Sequence, residues 1–512
     1  MFYQTTLLLL FAALFIPSTS HKILVYSLRF GQSHVLFMRS IADALAEAGH
    51  DVTFYQHEFY DQVKYVGCEH AKVVVRKRDY PVKPFPNFWE TGGQSDKEWM
   101  MYQDIGQNLA TACYHQLRDT NLTNRLRQER FELAIGEHFD TCTYALFEVL
   151  GIKKYISAYA APIFPQALEL LGHGMTTAYI PALNNNDMSY VERAKAFLLR
   201  PIGYYYYNRI FEQPVKEAVR AALGRSFDVN AAFVQSSYAF VNGDEHLEYQ
   251  QPTSQKVVYI GGITQHNTGK IPEPFKKVLK SARRGVILVS FGTVATGEVM
   301  PNKTKEILSE TFAQFPDIKF LFKHNDRYDP LFRHMDNVVV EKWVPQKEVL
   351  AHPKTIGFIT HGGLNSVSET AFHGVPSVCI PLFGDQERNC MMGEMHGILT
   401  TVRRQQLDAT SLITAVRKIL SDQKIRDNAA AMKEMMQNKP TSARDRVVKF
   451  TEHAIRFDIA KIHDLRARQL NTLQYYGLDV YLPIVFVVFS IFFVVYKSIR
   501  VVFSMVVKFK VE

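Results

Sequence analysis

One pattern occurs twice in this chain and limits what it can become: a short apolar run, a loop of small residues, then apolar residues at helical spacing. It first appears as "KILVYS", Lys22 to Ser27, followed by the loop "LRFGQS". Val35, Met38, Ile41, Leu45 and Ala48 then recur at helical spacing until Gly49, and "DVTFYQ" reads as the next strand. The pattern restarts at "GVILVSFGTVATGE", Gly285 to Glu298, passes through a helix around Lys303 to Phe315, and returns in "IKFLFK" and "NVVVEKW". Strands alternating with helices pair in parallel, so two α/β domains are expected. At 512 residues the chain exceeds what one core usually supports, and a content of 47% hydrophobic and 21% charged residues is that of a globular protein. The join is expected near "YIGGITQHNTGKIPEP", Tyr259 to Pro274, where Gly and Pro interrupt regular structure.

The two ends indicate where the chain resides. Residues 1–20 hold an apolar run from Leu7 to Ile16, then Pro17 and the small residues Ser18 and Ser20, which reads as a secretory signal peptide without a basic start. Val480 to Tyr496 is a run of 17 uncharged residues. As a helix it spans about 26 Å, enough for a bilayer core. Tyr481 and Tyr496 flank it, and Lys497, Arg500, Lys508 and Lys510 follow it. A single-pass membrane protein is expected, with its bulk lumenal and residues 497–512 as a cytosolic basic tail. The ending "KFKVE" resembles a dilysine retrieval signal of the endoplasmic reticulum membrane, and Asn121 and Asn302 stand in glycosylation sequons. Basic residues exceed acidic ones by 9 but are scattered, so nucleic acid is not an expected partner. Five cysteines show neither CxxC pairs nor metal-ligand spacing; one or two disulfides remain open.

In an open parallel sheet, ligands collect beyond the carboxyl ends of the strands. Both halves of "FITHGGLNSVSETAFHGVPSVCIPLFGDQ", Phe358 to Gln386, are loops of that kind. After the strand "IGFIT", His361, Gly362 and Gly363 turn into a helix from Leu364 that Gly374 closes. The free N–H groups of a helix start make an anion site, and glycines let a phosphate approach. His361, Asn365 and Ser366 could add donors, although a tight turn capped by His361 fits the same local pattern. Upstream, "WVPQ" offers Trp343 to stack a flat base and Gln346 to bond its edge or its ribose, unless Trp343 is simply core. Downstream, Asp385 and Gln386 suit sugar hydroxyls. No GxGxxG follows a candidate strand, which argues against a dinucleotide enzyme.

The stretch "WVPQKEVLAHPKTIGFITHGGLNSVSETAFHGVPSVCIPLFGDQERN" resembles the signature of the UDP-glycosyltransferases, of the membrane-bound animal UDP-glucuronosyltransferase type. The resemblance extends from the signal peptide to the basic tail. It implies a GT-B architecture, two Rossmann-like parallel-sheet domains facing a cleft, plus a C-terminal transmembrane helix. Residues 21–262 would bind the acceptor and 263–450 the UDP-sugar, with 451–479 as a helical return and juxtamembrane segment and 480–496 as the membrane helix. By resemblance, Trp343 stacks on uracil and Gln346 and Glu369 meet the ribose. His361, Gly363, Asn365 and Ser366 hold the diphosphate, Ser290 and Thr293 lie near the phosphates, and Asp385 and Gln386 hold the sugar. The UDP-sugar is a co-substrate and no further cofactor is implied. No Asp-x-Asp occurs, so no metal is expected.

The expected reaction is transfer of a hexose, glucuronate or glucose, to a hydroxyl of a small lipophilic acceptor, with inversion. A glucuronate carboxylate would ask for a cation, for which Lys323 and Arg327 are candidates. His34 lies at the turn between the first strand and first helix and has a side chain suited to taking a proton near neutrality, where the resemblance also puts the catalytic base. Its acidic partner is expected in "FELAIGEHFD", at Glu137, with Asp140 as the alternative because the family's aspartate is replaced by glutamate there. A catalytically silent relative that binds a lipophilic ligand or a partner transferase is the competing reading. Homo- or hetero-oligomerisation stays open.

Overall fold

The computed structural model describes residues 20–84, 87–91, 95–174, 188–265, 269–293, 295 and 299–509. The expected signal peptide lies outside these apart from Ser20, as do Lys510 and the residues after it. Seven strands form the first sheet: β1 (Lys22–Leu28), β2 (Asp51–His57), β3 (Lys72–Arg76), β4 (Leu133–Glu137), β5 (Tyr155–Tyr159), β6 (Ala239–Val241) and β7 (Val257–Tyr259). Their spatial order is β3-β2-β1-β4-β5-β6-β7, and every pair is parallel. The central strands are buried along nearly their whole length because helices cover both faces, which explains why they read as continuous apolar runs.

The second sheet has six strands: β8 (Gly285–Ser290), β9 (Ile318–Lys323), β10 (Val338–Glu341), β11 (Thr355–Thr360), β12 (Ser377–Cys379) and β13 (Leu399–Thr401). Their order is β10-β9-β8-β11-β12-β13, again all parallel. β12 stops at Cys379, because Pro381 has no N–H to continue the ladder. The segment expected to join the domains carries more regular structure than its Gly and Pro content suggests. A 3₁₀ turn occupies Ile263–Gln265, and a helix starts at Glu273 behind Pro272.

In each sheet the strand order reverses once between neighbours, at β1/β4 and at β8/β11. Chain connections leave in opposite directions there, opening a crevice beyond the carboxyl ends of those strands. Four helices flank these crevices or link the domains: α1 (Gln32–Glu47), α2 (Leu364–His373), α3 (Gln386–Met395) and α4 (Ala443–Arg456). Helix α4 returns to the first domain, where Val447, Ala454 and Ile455 join its core; the boundary expected at 450 therefore falls inside a helix. The chain crosses between domains at two places that adjoin. Lys439 Nζ, at the second crossing, reaches Asp244 at 2.6 Å and Glu245 at 3.3 Å in the first domain and donates to the Gly261 carbonyl of the first crossing at 3.5 Å.

A last helix, α5 (Leu478–Phe509), is long and apolar enough to cross a membrane, and its large apolar side chains between Val480 and Tyr496 stand exposed. Two disulfides are present, Cys113–Cys142 and Cys379–Cys390, leaving Cys68 free.

Candidate active site

The loop after β1 leads into α1 through Gly31, the N-cap in extended conformation. His34 therefore sits in the first turn without acting as the cap. Its ring packs so close to Gly31 that a Cβ there would lie 3.1 Å from the imidazole Cδ2. Glu137 ends β4, the strand beside β1 at the order reversal, and its Oε1 lies 2.5 Å from His34 Nδ1. A carboxylate can only accept, so His34 Nδ1 donates, and the neutral ring keeps its lone pair on Nε2. Burial pushes the His34 pKa down, but the charge and hydrogen bond of Glu137, together with the charge of Asp385 from the second domain, outweigh it and raise the pKa above the ordinary value.

Asp140 takes another part. It accepts from Tyr26 Oη at 2.6 Å and from the Cys142 N–H at 3.2 Å, and burial pushes its carboxyl up to about 6. The two carboxylates that the sequence leaves as alternatives are thus separated by direction: Glu137 faces His34 and Asp140 faces the sheet interior. Aromatic rings wall the space around the imidazole. Phe30 and Phe139 each have centroids 5.7 Å from the His34 ring, they lie 4.5 Å from one another, and Phe211 stands 6.5 Å from Phe139.

Across the cleft, the loops after β8 and β11 meet at the second order reversal. Gly362 has φ +81°, and a Cβ there would overlap the sulfurs of Cys379 and Cys390, so only glycine fits this turn. Gly363 is the N-cap of α2 in extended conformation, leaving the first N–H groups of that helix directed out of the turn. The ring of His361 packs against Gly292 and Gly363, either of which would put a Cβ 2.7 Å from its Nε2. Burial, reinforced by the Lys323 cation, lowers the His361 pKa to about 4, so the ring is neutral at physiological pH. Ser290 Oγ accepts from the Gly292 N–H at 3.4 Å, with Thr293 half-buried one residue further on.

Trp343 is 59% exposed, a platform and not a core residue. Gln346 begins the helix behind it and donates to Glu369 at 2.6 Å and to Ser366 Oγ at 3.2 Å. The second oxygen of Glu369 accepts from Gln265 at 3.4 Å, and burial raises this carboxyl despite both amides. Asn365 Oδ1 accepts from Asn242 Nδ2 of the first domain at 2.8 Å, tying the start of α2 to the end of β6. Asp385 stands at the N-cap position of α3 without capping it through its side chain, and burial raises its carboxyl although Asn389 donates to it at 2.8 Å. Gln386 folds back instead, its Oε1 accepting from the N–H groups of Leu382 and Phe383 at 2.9 and 3.2 Å.

Of the two candidate cations, Arg327 is paired with Glu341 on the surface. Lys323 points inward: its Nζ donates to the Gly292 carbonyl at 2.9 Å and lies 4.7 Å from the centre of the Trp343 ring, and burial lowers its pKa to about 8. Reading the sequence missed Gln265, Asn242, Asn389 and the aromatic wall. Asn389 joins the two site loops through Asp385 and the Gly362 carbonyl, the latter at 3.1 Å, and its place in an ordinary helical stretch carries no local signal.

The family described as "UDP-glucoronosyl and UDP-glucosyl transferase" matches residues 21–512. A Caenorhabditis elegans protein named a UDP-glucuronosyltransferase, ugt-48, is 31% identical over 500 residues, covering 92% of this chain and 93% of that protein. UDP-glucuronosyltransferase 2B13 of Oryctolagus cuniculus is 24% identical, covering 93% and 91%. Among solved structures, the glycosyltransferase VinC in complex with DTDP superposes with a TM-score of 0.55 at 15% identity, covering 85% of this chain and all of that one. SnogD from Streptomyces nogalater does so equally well at 16% identity. The fold is therefore GT-B, and the chain belongs to the UDP-glucuronosyl and UDP-glucosyl transferase family and is a transferase.

Proposed function

We propose that the protein moves a hexose from its UDP-sugar to a hydroxyl of a small lipophilic acceptor, with inversion at the anomeric carbon. The observation that carries this reading is the His34–Glu137 pair on the acceptor side of the cleft, near enough to Asp385 of the donor domain to feel its charge. His34 Nε2 takes the acceptor proton as the acceptor oxygen forms its bond to the anomeric carbon. The bond from that carbon to the diphosphate breaks, and UDP leaves with the electron pair. Glu137 stabilises the imidazolium that forms. The N–H groups at the start of α2 and neutral His361 bear the charge that develops on the diphosphate, without a metal in this reading.

Trp343 would stack the uracil while Gln346 and Glu369 take the ribose. Phe30, Phe139 and Phe211 favour an acceptor with a flat or greasy body. Lys323 is the cation best placed to favour glucuronate over glucose. Helix α5 would anchor the enzyme in the endoplasmic reticulum membrane with the cleft lumenal. The test is release of UDP that depends on an added phenol or sterol, measured with purified UDP-glucuronate and UDP-glucose side by side. Turnover with either donor supports the transferase reading; turnover with neither across such a panel overturns it.

A further inference from the structure

The donor-side loops are held by residues from the wrong domain. Between β3 and β4 of the first domain, the segment Asn87–Thr91 divides its two rings: Phe88 stays in the first domain's core, against which Phe383 of the second domain packs, and Trp89 enters the second. Trp89 is only 2% exposed, and it is buried with Val289, Phe291, Leu382 and Val402 in the core of the second domain. Its ring meets Phe291 edge-on at 5.2 Å. Phe88 stacks face to face on Phe383 with centroids 3.6 Å apart and planes within 23°. Arg404, in the turn after β13, donates to the carbonyls of both Phe88 and Trp89, the former at 3.5 Å, and Asn87 Oδ1 accepts from the Trp89 N–H at 3.1 Å to shape the bend.

What these two rings touch is specific. Phe291 lies between Ser290 and Gly292, the latter being the residue whose carbonyl receives Lys323. Phe383 stands two residues before Asp385, and its N–H is bonded to Gln386. One short arm thus braces the loop after β8 with one ring and the loop before α3 with the other. Removing the Trp89 indole would leave a void in the second domain beneath the loop after β8.

We propose that Phe88 and Trp89 are positioning residues for the donor, through which the acceptor domain sets the shape of the UDP-sugar site. This rests on the reading of those two loops as the donor site. Rings held edge-on or stacked favour one arrangement of their neighbours over others. Donor affinity should therefore depend on a docked arm, and bound donor should in turn hold the arm in place.

The experiment uses the full-length enzyme in detergent, with UDP binding measured by calorimetry and both KM values by steady-state kinetics. Trp89→Ala is expected to raise the KM for UDP-sugar and the Kd for UDP about tenfold, with the acceptor KM changed less than twofold. Trp89→Phe should recover most of the loss. Trp99→Ala, which removes an indole that packs on Tyr206 within the first domain, should leave UDP binding unchanged. Should Trp89→Ala fail to fold, Phe88→Leu keeps apolar bulk, removes the stack on Phe383, and is expected to weaken UDP in the same direction. If wild-type protein binds no UDP, the donor-site reading fails and this proposal with it. If wild type binds UDP and the arm variants bind it equally well, losing only thermal stability or kcat, the arm is structural and the proposal alone is overturned.

Discussion

Glu137 Oε1 lies 2.5 Å from His34 Nδ1, whereas Asp140, three residues on, gives its carboxylate to Tyr26 and the Cys142 N–H. Catalysis should divide in the same way. His34→Ala is expected to reduce turnover by about 10² or more while UDP binding persists, because general-base catalysis typically contributes that much. Glu137→Gln should be severe and Asp140→Asn mild. Steady-state kcat for the three variants checks this, and near-normal turnover in His34→Ala would remove the proposed mechanism.

The same contact fixes the pH response. Glu137 and Asp385 hold the imidazole above its ordinary pKa of about 6.5, and the base must be neutral to act. Activity should therefore fall as pH drops through an apparent value above 6.5. Replacing the carboxylate in Glu137→Gln removes the charge that raises it, so whatever activity remains should move its acid limb to lower pH. A profile of kcat/KM against pH for the two proteins reads this directly.

Asp140 should show itself in stability instead. Its folded-state carboxyl titrates at about 6, above the ordinary value of 3.8. A raised folded pKa contributes stability that is complete below the unfolded value and lost as pH rises through the folded one. Wild-type protein should thus lose a part of its Tm between about pH 4 and pH 7 that Asp140→Asn does not lose. Parallel melting curves across that window provide the measurement, and identical slopes for the two proteins would count against the buried, proton-sharing site.

Lys323 bridges the Gly292 carbonyl and the Trp343 face, with no carboxylate among the groups that shift its pKa. Lys323→Ala should raise the KM for UDP-glucuronate more than that for UDP-glucose, by about tenfold if one charge-assisted hydrogen bond to the sugar carboxylate is lost. An equal rise for both donors would assign the lysine to the diphosphate instead.

Helix α5 is apolar along most of its length and separate from both cores. Ending the chain after Asp479 is expected to yield a protein that stays in the aqueous phase on detergent partitioning and keeps UDP binding. Recovery of the truncated protein in the membrane pellet would show that a second segment also holds it there.

The order of the fold was legible in the sequence because parallel strands buried on both faces must read as apolar runs, and because the turns after β1 and β11 need glycine or a helix start at fixed places. His34, His361 and Trp343 could be found by that logic, since each stands at a strand end or just before a helix. The choice between Glu137 and Asp140 could not. It depends on Tyr26, 114 residues away in the chain, which draws Asp140 inward. The direction of Lys323 was equally hidden, because it follows from how the loop after β8 presents the Gly292 carbonyl. The second part Gln386 plays was hidden too: the Leu382 and Phe383 N–H groups beyond Pro381 have no ladder partner, and its Oε1 supplies one.

The paired crossings near Gly261 and Lys439 restrict how the two halves can move. A body held to another by one tether can swing and twist; held by two neighbouring tethers that touch, it keeps mainly one rotation, about the line through them. Lys439, gripping Asp244, Glu245 and the Gly261 carbonyl together, makes that line short and stiff. With Trp89 of the first domain also buried in the core of the second, that rotation is itself restrained, and His34 is kept opposite Asp385. The facing of His34 and Asp385 is thereby built into the connections between the domains.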